Sequence, residues 1–375
     1  MRVIHLGRTD DPARPGILFV TRKWAPATGG METYCLRLTE ALAAHEPVEV
    51  LALPGRANGM PPGGLALIGF AFAALLRCLA RRSAPRVLHL GDMAIWPLAA
   101  PALIWRDTVV AISAHGTDVS YPRRGGLKGK LYGAYLRLGA RLLGSARILA
   151  NSQATRKAAA ETGWRNVAVV PLATDLARPT PDGSHDGSIL FAGRLIELKG
   201  CSWFVREVLP LLPEGIRLKV AGTAWHTREA AALDHPRVDF LGALPQSELT
   251  VEYSRAMCVI VPNIEPANGQ FEGFGLVGCE AASCGGVVLA SRTGGISEAV
   301  VEGKTGLLLE PGDAPEWAKT IQGVSDWSPQ QRHRFVSEAQ ATAQARYSWP
   351  RVAEETLALY PNAQVKPDPV AIPSV

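Results

Sequence analysis

The sequence predicts an α/β protein built on two doubly wound parallel sheets that face each other across a cleft. Short apolar runs such as ILFV at Ile17–Val20 alternate with helix-length stretches throughout, as strands do when a parallel sheet is covered on both faces. At 375 residues the chain exceeds the usual size of one core. Pro, Asp, Gly and Ser gather over Pro171–Gly187, as they do in linkers.

In the first half, strands are expected at Ile17–Val20, Val48–Leu53, Val87–Leu90, Val109–Ser113 and Ile148–Ala150. A glycine loop, Trp24–Gly30, follows the first of these, and Met31–Ala44 then repeats apolar residues at helical spacing. The second half predicts strands at Ile189–Ala192, Arg217–Ala221, Val238–Leu241, Cys258–Pro262, Val287–Ala290 and Gly306–Leu309. In such sheets ligands sit beyond the carboxyl ends of the strands. Met1–Arg14 receives no assignment.

Two segments stand apart. Leu65–Leu76 is an uncharged apolar run followed by Arg77, Arg81 and Arg82, too short to span a bilayer. Lys128–Arg147 mixes leucines and tyrosines with Lys128, Lys130, Arg137 and Arg141, as a basic amphipathic helix does. Either is read as a helix packed on the sheet or as one lying in a membrane interface, the first reading being preferred for Leu65–Leu76. Residues 1–175 hold 22 basic against 11 acidic side chains, whereas the remainder holds 17 against 23. That asymmetry suits a first half facing phosphates or an anionic membrane surface, or equally one whose arginines are simply solvated and have no partner.

Composition excludes several classes. Charged residues at 19% and hydrophobic residues at 47% allow a full core and exclude a disordered chain. The basic residues are dispersed and aromatics are 7%, which argues against a nucleic-acid module. Six cysteines without a CxxC pair suit reduced, buried thiols in a cytosolic protein. No secretory signal is legible at the start of the chain. Histidines never fall at HExxH spacing and no DxD occurs, so no metal is expected. Gly273, Gly275 and Gly278 spell GxGxxG, but ten residues separate Pro262 from Gly273 where the fingerprint turn follows its strand directly, which makes an NAD(P)-dependent oxidoreductase a weak alternative.

The informative block is Glu272-Gly-Phe-Gly-Leu-Val-Gly-Cys-Glu280. With a helix starting near Phe274, Glu272 would lie at its mouth beside unpaired N–H groups, and Glu280 two turns in, where its oxygens suit a diol. Glycines admit a ligand close to the main chain, and a helix N-terminus favours phosphate. Upstream, Gly193-Arg194…Lys199-Gly200 sets two cations beyond a strand's carboxyl end, where a diphosphate needs neutralising. A salt-bridged or capping role for either carboxylate is the structural alternative.

These residues, in order, resemble the GT-B-fold glycosyltransferases, in particular the retaining family 4. The resemblance includes Gly29-Gly30-Met-Glu32, His115-Gly-Thr-Asp118, Asn151-Ser152, Val170-Pro171 with Asp175, Gly193-Arg194…Lys199-Gly200, Glu272…Glu280, Gly294-Gly295, Glu302-Gly-Lys-Thr-Gly306 and Tyr347-Ser-Trp349, and it spans most of the chain. It implies a Rossmann-like acceptor-binding domain over 1–178 and a Rossmann-like donor-binding domain over 179–348, with a helix at about 349–375 returning to the first. Arg194 and Lys199 would bind the donor diphosphate, Glu280 the ribose hydroxyls, and Glu272 the transferred sugar. Amides around Phe274, Gly275 and Leu276 would face sugar and phosphate. Gly29 or Gly30 would close over the phosphates, and His115 would lie beside the reacting sugar as a catalytic group with Glu272, a hydrogen-bonded core histidine being its structural alternative.

The implied reaction moves a hexose-type sugar from a nucleotide diphosphate sugar, uridine favoured over guanosine, to an acceptor hydroxyl with retention and without a metal or other cofactor. Glycan, lipopolysaccharide or glycolipid synthesis would be its setting, in the cytoplasm or at the inner face of an anionic membrane, with a lipid-linked acceptor. A phosphorylase or hydrolase using a similar cleft, or a silent sugar-nucleotide-binding subunit, are the alternatives. Asn263–Phe271 is longer than the connection usual in the family and is expected to reshape the sugar pocket.

Overall fold

The computed structural model describes residues 1–7, 16–27, 29–105, 107–178, 182–223 and 227–360. The first half folds around a seven-stranded sheet. Its strands are β1 (Arg2–Leu6), β2 (Ile17–Trp24), β3 (Val48–Pro54), β4 (Val87–Leu90), β5 (Val109–Ala114), β6 (Arg147–Ala150) and β7 (Val167–Val169), in the spatial order β1-β3-β2-β4-β5-β6-β7. All neighbours run parallel except β1, which pairs antiparallel with β3, Arg2 opposite Ala52. Within the unassigned start of the sequence, whose residues 8–14 lie outside the described residues, Arg2–Leu6 is thus an edge strand. Its residues are mostly exposed, so the apolar run that would have revealed a buried strand is missing.

The second half forms a six-stranded sheet in the order β10-β9-β8-β11-β12-β13. The strands are β8 (Ile189–Ala192), β9 (Leu218–Ala221), β10 (Val238–Gly242), β11 (Cys258–Val261), β12 (Val288–Ser291) and β13 (Leu307–Leu309), all parallel. Each sheet reverses its strand order next to its first-laid parallel strand, β2 or β8, so both have the switch-point topology that places ligands beyond the strand carboxyl ends.

Two chain segments cross between the halves side by side. After β7 the main chain runs through Pro171–Asp175, and the long helix Pro329–Arg346 ends at Tyr347 before the helix Trp349–Leu359 packs on the helix Gly30–Ala43 of the first half. Thr174 N–H donates to the Tyr347 carbonyl (3.1 Å), and the Arg351 guanidinium donates to the carbonyl oxygens of Pro171 and Leu172 (2.8 and 3.2 Å). Part of the return segment expected over 349–375 lies outside the described residues.

The end of that returning helix is anchored by a buried polar chain. Tyr360 OH meets His89 Nδ1 at 2.7 Å, His89 Nε2 meets Ser113 Oγ at 2.8 Å, and Ser113 Oγ meets Tyr34 OH at 2.9 Å. Burial, aided by the nearby His115, pushes the His89 imidazole down to about 3, so it is a neutral bridge at physiological pH. All six cysteines are free and buried.

Leu65–Leu76 lies within the helix Gly64–Leu79, and Lys128–Arg147 is mostly the helix Gly126–Leu142. Both pack on one face of the seven-stranded sheet. No helix among the described residues is long and apolar enough to cross a membrane.

Candidate active site

The site forms where the carboxyl ends of the two sheets face each other. On the second half, β8 ends at Ala192, and Gly193 turns the chain away with its N–H donating to the Ala221 carbonyl of the neighbouring strand (2.9 Å). The loop then makes a 3₁₀ turn, Glu197–Lys199, that Gly200 closes in the left-handed region (φ 70°). Any side chain at Gly200 would run into the carbonyl of Pro262, so glycine is required there twice over, by conformation and by space. The turn is tied to the next loop by the Ile264 N–H to the Leu198 carbonyl (3.2 Å). Lys199 is held by this framework, and its Nζ meets Glu272 Oε2 at 2.7 Å.

Glu272 lies in the loop between β11 and the helix Leu276–Ser283. Its carbonyl accepts from Gly295 N–H (2.9 Å), which ties it to the Gly294-Gly295 turn after β12. Asn263 Nδ2 faces its carboxylate at 3.4 Å. Burial pushes this carboxyl up, but Lys199 and then Arg194 outweigh it, so it stays below the ordinary glutamate range and is ionised. Arg194 is itself solvent-exposed, on the loop that follows β8.

The helix begins later than expected. Phe274 is not in it: Gly275 (φ 89°) is its N-cap and Leu276 its first residue, because the left-handed glycine delays the first helical turn. Glu272 therefore precedes the helix rather than entering it, and Glu280 lies little more than one turn inside. The Phe274 side chain is buried edge-on against Tyr347 (6.3 Å), so only its main chain is available to a ligand. The first-turn N–H groups of Leu276 and Val277 have no helical carbonyl before them and point out of the helix end. Glu280 Oε2 accepts from Tyr253 OH at 3.2 Å. Burial raises its carboxyl above the ordinary range, with Tyr253 and Lys199 only partly offsetting this.

The first half supplies the opposite wall. Gly29 is the N-cap of the helix Gly30–Ala43, and Gly30 lies against the Leu276 side chain, a Cβ there reaching within 3.5 Å of it. His115 follows β5. Its Nε2 lies 2.9 Å from the Gly91 carbonyl, its N–H donates to Asp118 Oδ1 (2.8 Å), and the Tyr34 ring meets it edge-on at 4.7 Å. The imidazole is thus held in one orientation with Nε2 as donor.

The halves touch at this point. The His115 carbonyl and Gly116 lie directly on Gly273: a Cβ on Gly116 would come within 2.7 Å of the Gly273 Cα. Nearby, Glu298 Oε1 accepts from the N–H of Gln153 at the start of the helix Gln153–Glu161, at 2.6 Å. The cleft is closed, and the two glycines allow it. The long loop 263–271 also crosses it: the Arg123 guanidinium lies over the Phe271 ring at 5.2 Å, and Gly269 packs on the Arg123 side chain.

The structure therefore gathers Arg194, Lys199, Glu272, Gly275, Leu276 and Glu280 around one helix end, with Gly29, Gly30 and His115 facing them. Sequence reasoning did not single out Tyr253, Asn263, Tyr34 or Glu298. Asn263 follows the end of β11 and Tyr253 lies in the helix Gln246–Arg255, but nothing in their local pattern marks them. GxGxxG is no dinucleotide fingerprint, because β11 ends at Val261 and Gly273 belongs to a long loop. Among the described residues no group of three or more His, Cys, Asp or Glu is placed to hold a metal ion.

Comparison with known proteins agrees with this geometry. A family model described as Glycosyltransferase Family 4 matches residues 28–178, and one described as Glycosyl transferases group 1 matches 186–326. The chain belongs to the family 4 glycosyltransferases. It is 31% identical over 245 residues to a D-inositol 3-phosphate glycosyltransferase of Pseudarthrobacter chlorophenolicus, an alignment covering 58% of this chain and 56% of that protein. The chain spans about half the length of the curated relatives it matches. Sucrose-phosphate synthase from Thermosynechococcus elongatus superposes with a TM-score of 0.72 at 19% identity, covering 92% of this chain and 98% of that one. Anabaena HepE, solved in complex with UDP and glucose, superposes with a TM-score of 0.67 at 21% identity, covering 92% and 98%. These likenesses establish the GT-B fold.

Proposed function

We propose that this family 4 glycosyltransferase moves a hexose-type sugar from a nucleotide diphosphate sugar, UDP favoured over GDP, to an acceptor hydroxyl with retention of configuration. The observation that carries the reading is the Lys199–Glu272 pair at the open N-terminus of the helix Leu276–Ser283, closed over by Gly30 and His115.

Breaking a sugar–diphosphate bond leaves negative charge on the departing phosphate. Lys199, Arg194 and the amides of Leu276 and Val277 would stabilise that charge as it develops. The Lys199 ammonium has three donors, so it can hold Glu272 and a phosphate oxygen together. Glu272, kept ionised, would accept from sugar hydroxyls and favour the positive character of the reacting carbon. Glu280 would take the ribose diol, and its raised affinity for protons reflects a buried carboxylate that the Tyr253 hydroxyl and Lys199 only partly compensate. His115, fixed by Gly91 and Tyr34, would face the reacting sugar. Closure along Gly116–Gly273 would exclude water and limit hydrolysis. The positive charge in this reading comes from the protein, and no metal is invoked.

The acceptor side is the first half, whose basic excess suits a lipid-linked acceptor presented at the inner face of a membrane. HepE is bound to UDP and glucose, and the curated relatives are named for an inositol phosphate acceptor, which supports UDP and leaves a phosphorylated acceptor as the competing choice. The test is turnover of UDP-linked and GDP-linked hexoses with lipid-linked and phosphorylated acceptors, the product anomer assigned by NMR. Acceptor-dependent UDP release with a retained anomer is expected. Sugar release at the same rate without any acceptor would replace the reading with hydrolysis.

A further inference from the structure

The helix Gly64–Leu79 is apolar on two opposite faces. Phe70, Ala74 and Cys78 are buried against the seven-stranded sheet. Leu65, Ile68, Phe72, Leu76 and Leu79, spaced three or four residues apart or multiples of these, form one outward line and are exposed, Leu65 by 87% and Ile68 by 70%. No charge occurs in this helix before Arg77. A helix apolar all round is normally buried all round, and contiguous exposed apolar surface of this kind marks a contact site.

The feature extends across the layer. The proline-rich segment Met93–Leu103 lies beside this helix on the same sheet face and leaves Leu103 and Ile104 exposed at its outer end. Next to it is the helix Gly126–Leu142, docked through Gly139 against the Trp96 ring and through Tyr135 OH donating to the Ala94 carbonyl (2.7 Å). This helix buries Gly129, Gly133, Leu136 and Gly139 and turns Leu127, Leu131, Leu138 and Leu142 outward. Lys130, Arg137 and Arg141 flank that leucine line on one side and Lys128 on the other, all exposed. Neither helix contains an acidic residue.

We propose that this face, made by the helices 64–79 and 126–142 with Leu103 and Ile104 between them, seats the protein on an anionic lipid bilayer. Outward leucines flanked by lysines and arginines, whose stems lie along the apolar surface while their heads reach phosphate level, are the pattern of a helix lying in a membrane interface. The basic flanks and the absence of acids supply complementarity to an anionic leaflet. A second copy of the chain is disfavoured as occupant, because a two-fold contact through this patch sets its cations against one another with no carboxylate on these helices to pair them. The two helices follow β3 and β5, whose carboxyl ends open on the cleft, so Leu65 and Leu127 lie at its rim. Docking would therefore bring the cleft to the bilayer surface. That orientation deepens the reading of a lipid-linked acceptor and rests on it; the docking itself does not.

The test is co-sedimentation of the full chain with equimolar phosphatidylglycerol–phosphatidylcholine vesicles and with pure phosphatidylcholine, at low and high salt. The comparison includes Ile68→Ser/Phe72→Ser, Leu127→Ser/Leu131→Ser and Lys130→Gln/Arg137→Gln/Arg141→Gln. The wild type is expected to pellet with anionic vesicles, each serine pair to weaken binding at least about tenfold, and the glutamine triple to remove its salt-sensitive part. All variants should keep the wild-type circular dichroism and UDP or GDP affinity, because they lie away from the diphosphate site. A wild type left in the supernatant at low salt, folded serine variants that pellet like it, or a dimer that Ile68→Ser/Phe72→Ser converts to monomer would overturn the proposal. Intact nucleotide binding in those cases leaves the donor reading standing, whereas vesicle binding without nucleotide binding does the reverse.

Discussion

The two halves are variations on one doubly wound sheet, yet their outer and inner surfaces are opposites. The second half gathers one charged cluster at the cleft, Lys199 on Glu272 with Arg194 beside them, while other pairs such as Arg217–Asp239 and Arg292–Glu302 are exposed. Its helices bury their apolar faces, and exposed large hydrophobic residues there are isolated ones such as Leu211 and Phe240. The first half presents Gly29, Gly30 and a histidine already hydrogen-bonded to Gly91, and its charges there are paired with one another, Lys23 with Glu32 and Arg22 with Asp92. Its apolar and basic residues face outward instead. On the two proposals above, one topology is divided between holding a charged ligand and offering a wall and a docking face, which fits a fold whose function is set by grafted side chains rather than by the sheet.

The sharpest way to break this comparison is to remove the second half's cations. Arg194→Ala/Lys199→Ala should weaken UDP binding by about a thousandfold, from two charge-assisted contacts together worth roughly 4 kcal/mol. Calorimetry checks it, and an effect of the same size from any cleft substitution in the first half would erase the division of labour.

Gly116→Ala acts from the other wall. The added Cβ meets the Gly273 main chain at a left-handed glycine (φ 95°), so closure is blocked. Turnover should fall about a hundredfold, as for an ångström-scale misplacement, while UDP affinity changes little. Steady-state kinetics beside calorimetry separates the two quantities.

The site's two glutamates, Glu272 and Glu280, should respond with opposite signs. Glu272 has a lowered proton affinity in the folded protein, so its stabilisation is present above the unfolded carboxyl range and is lost as pH falls through its folded value. Glu272→Gln should cost on the order of 1–2 kcal/mol at pH 7, since it leaves Lys199 without its carboxylate. Glu280 is raised, so its favourable contribution is full below the unfolded range and lost as pH rises through its folded value. Glu280→Gln should therefore raise the melting temperature at pH 7 while weakening UDP binding about tenfold through the ribose. Thermal melts across pH 4 to 8 read both.

The smallest effect belongs to the anchor between the halves. Tyr360→Phe leaves His89 Nδ1 buried without its partner and should cost about 1 kcal/mol, with no change in UDP affinity.

The fold was legible because parallel strands covered on both faces are continuous apolar runs. Val87–Leu90 and Ile189–Ala192 have the same bounds in sequence and structure. The edge strand β1 was not, since exposed residues carry no such run. At the site, residues clustered in sequence were readable: Glu272 to Glu280, and Arg194 to Lys199. Partners brought in from other elements were not, as with Tyr253 on Glu280, 27 residues apart, or Glu298 on Gln153, 145 apart, because contact between separate elements leaves no local pattern. The helix start was misplaced by two residues because sequence does not tell which glycine of Gly273, Gly275 and Gly278 turns left-handed; Gly275 does. The apolar stretch Leu65–Leu76 was correctly a helix on the sheet, but only the structure shows that it faces two ways.

The most direct measurement is calorimetric titration of UDP and GDP into the wild-type chain and Arg194→Ala/Lys199→Ala. The expected result is a one-site isotherm for one of the two nucleotides, UDP favoured, that the double substitution abolishes while the protein keeps its fold by circular dichroism. Absence of binding by either nucleotide to the wild type, or equal affinity in the two proteins, would contradict a donor diphosphate held at the Lys199–Glu272 end of the cleft.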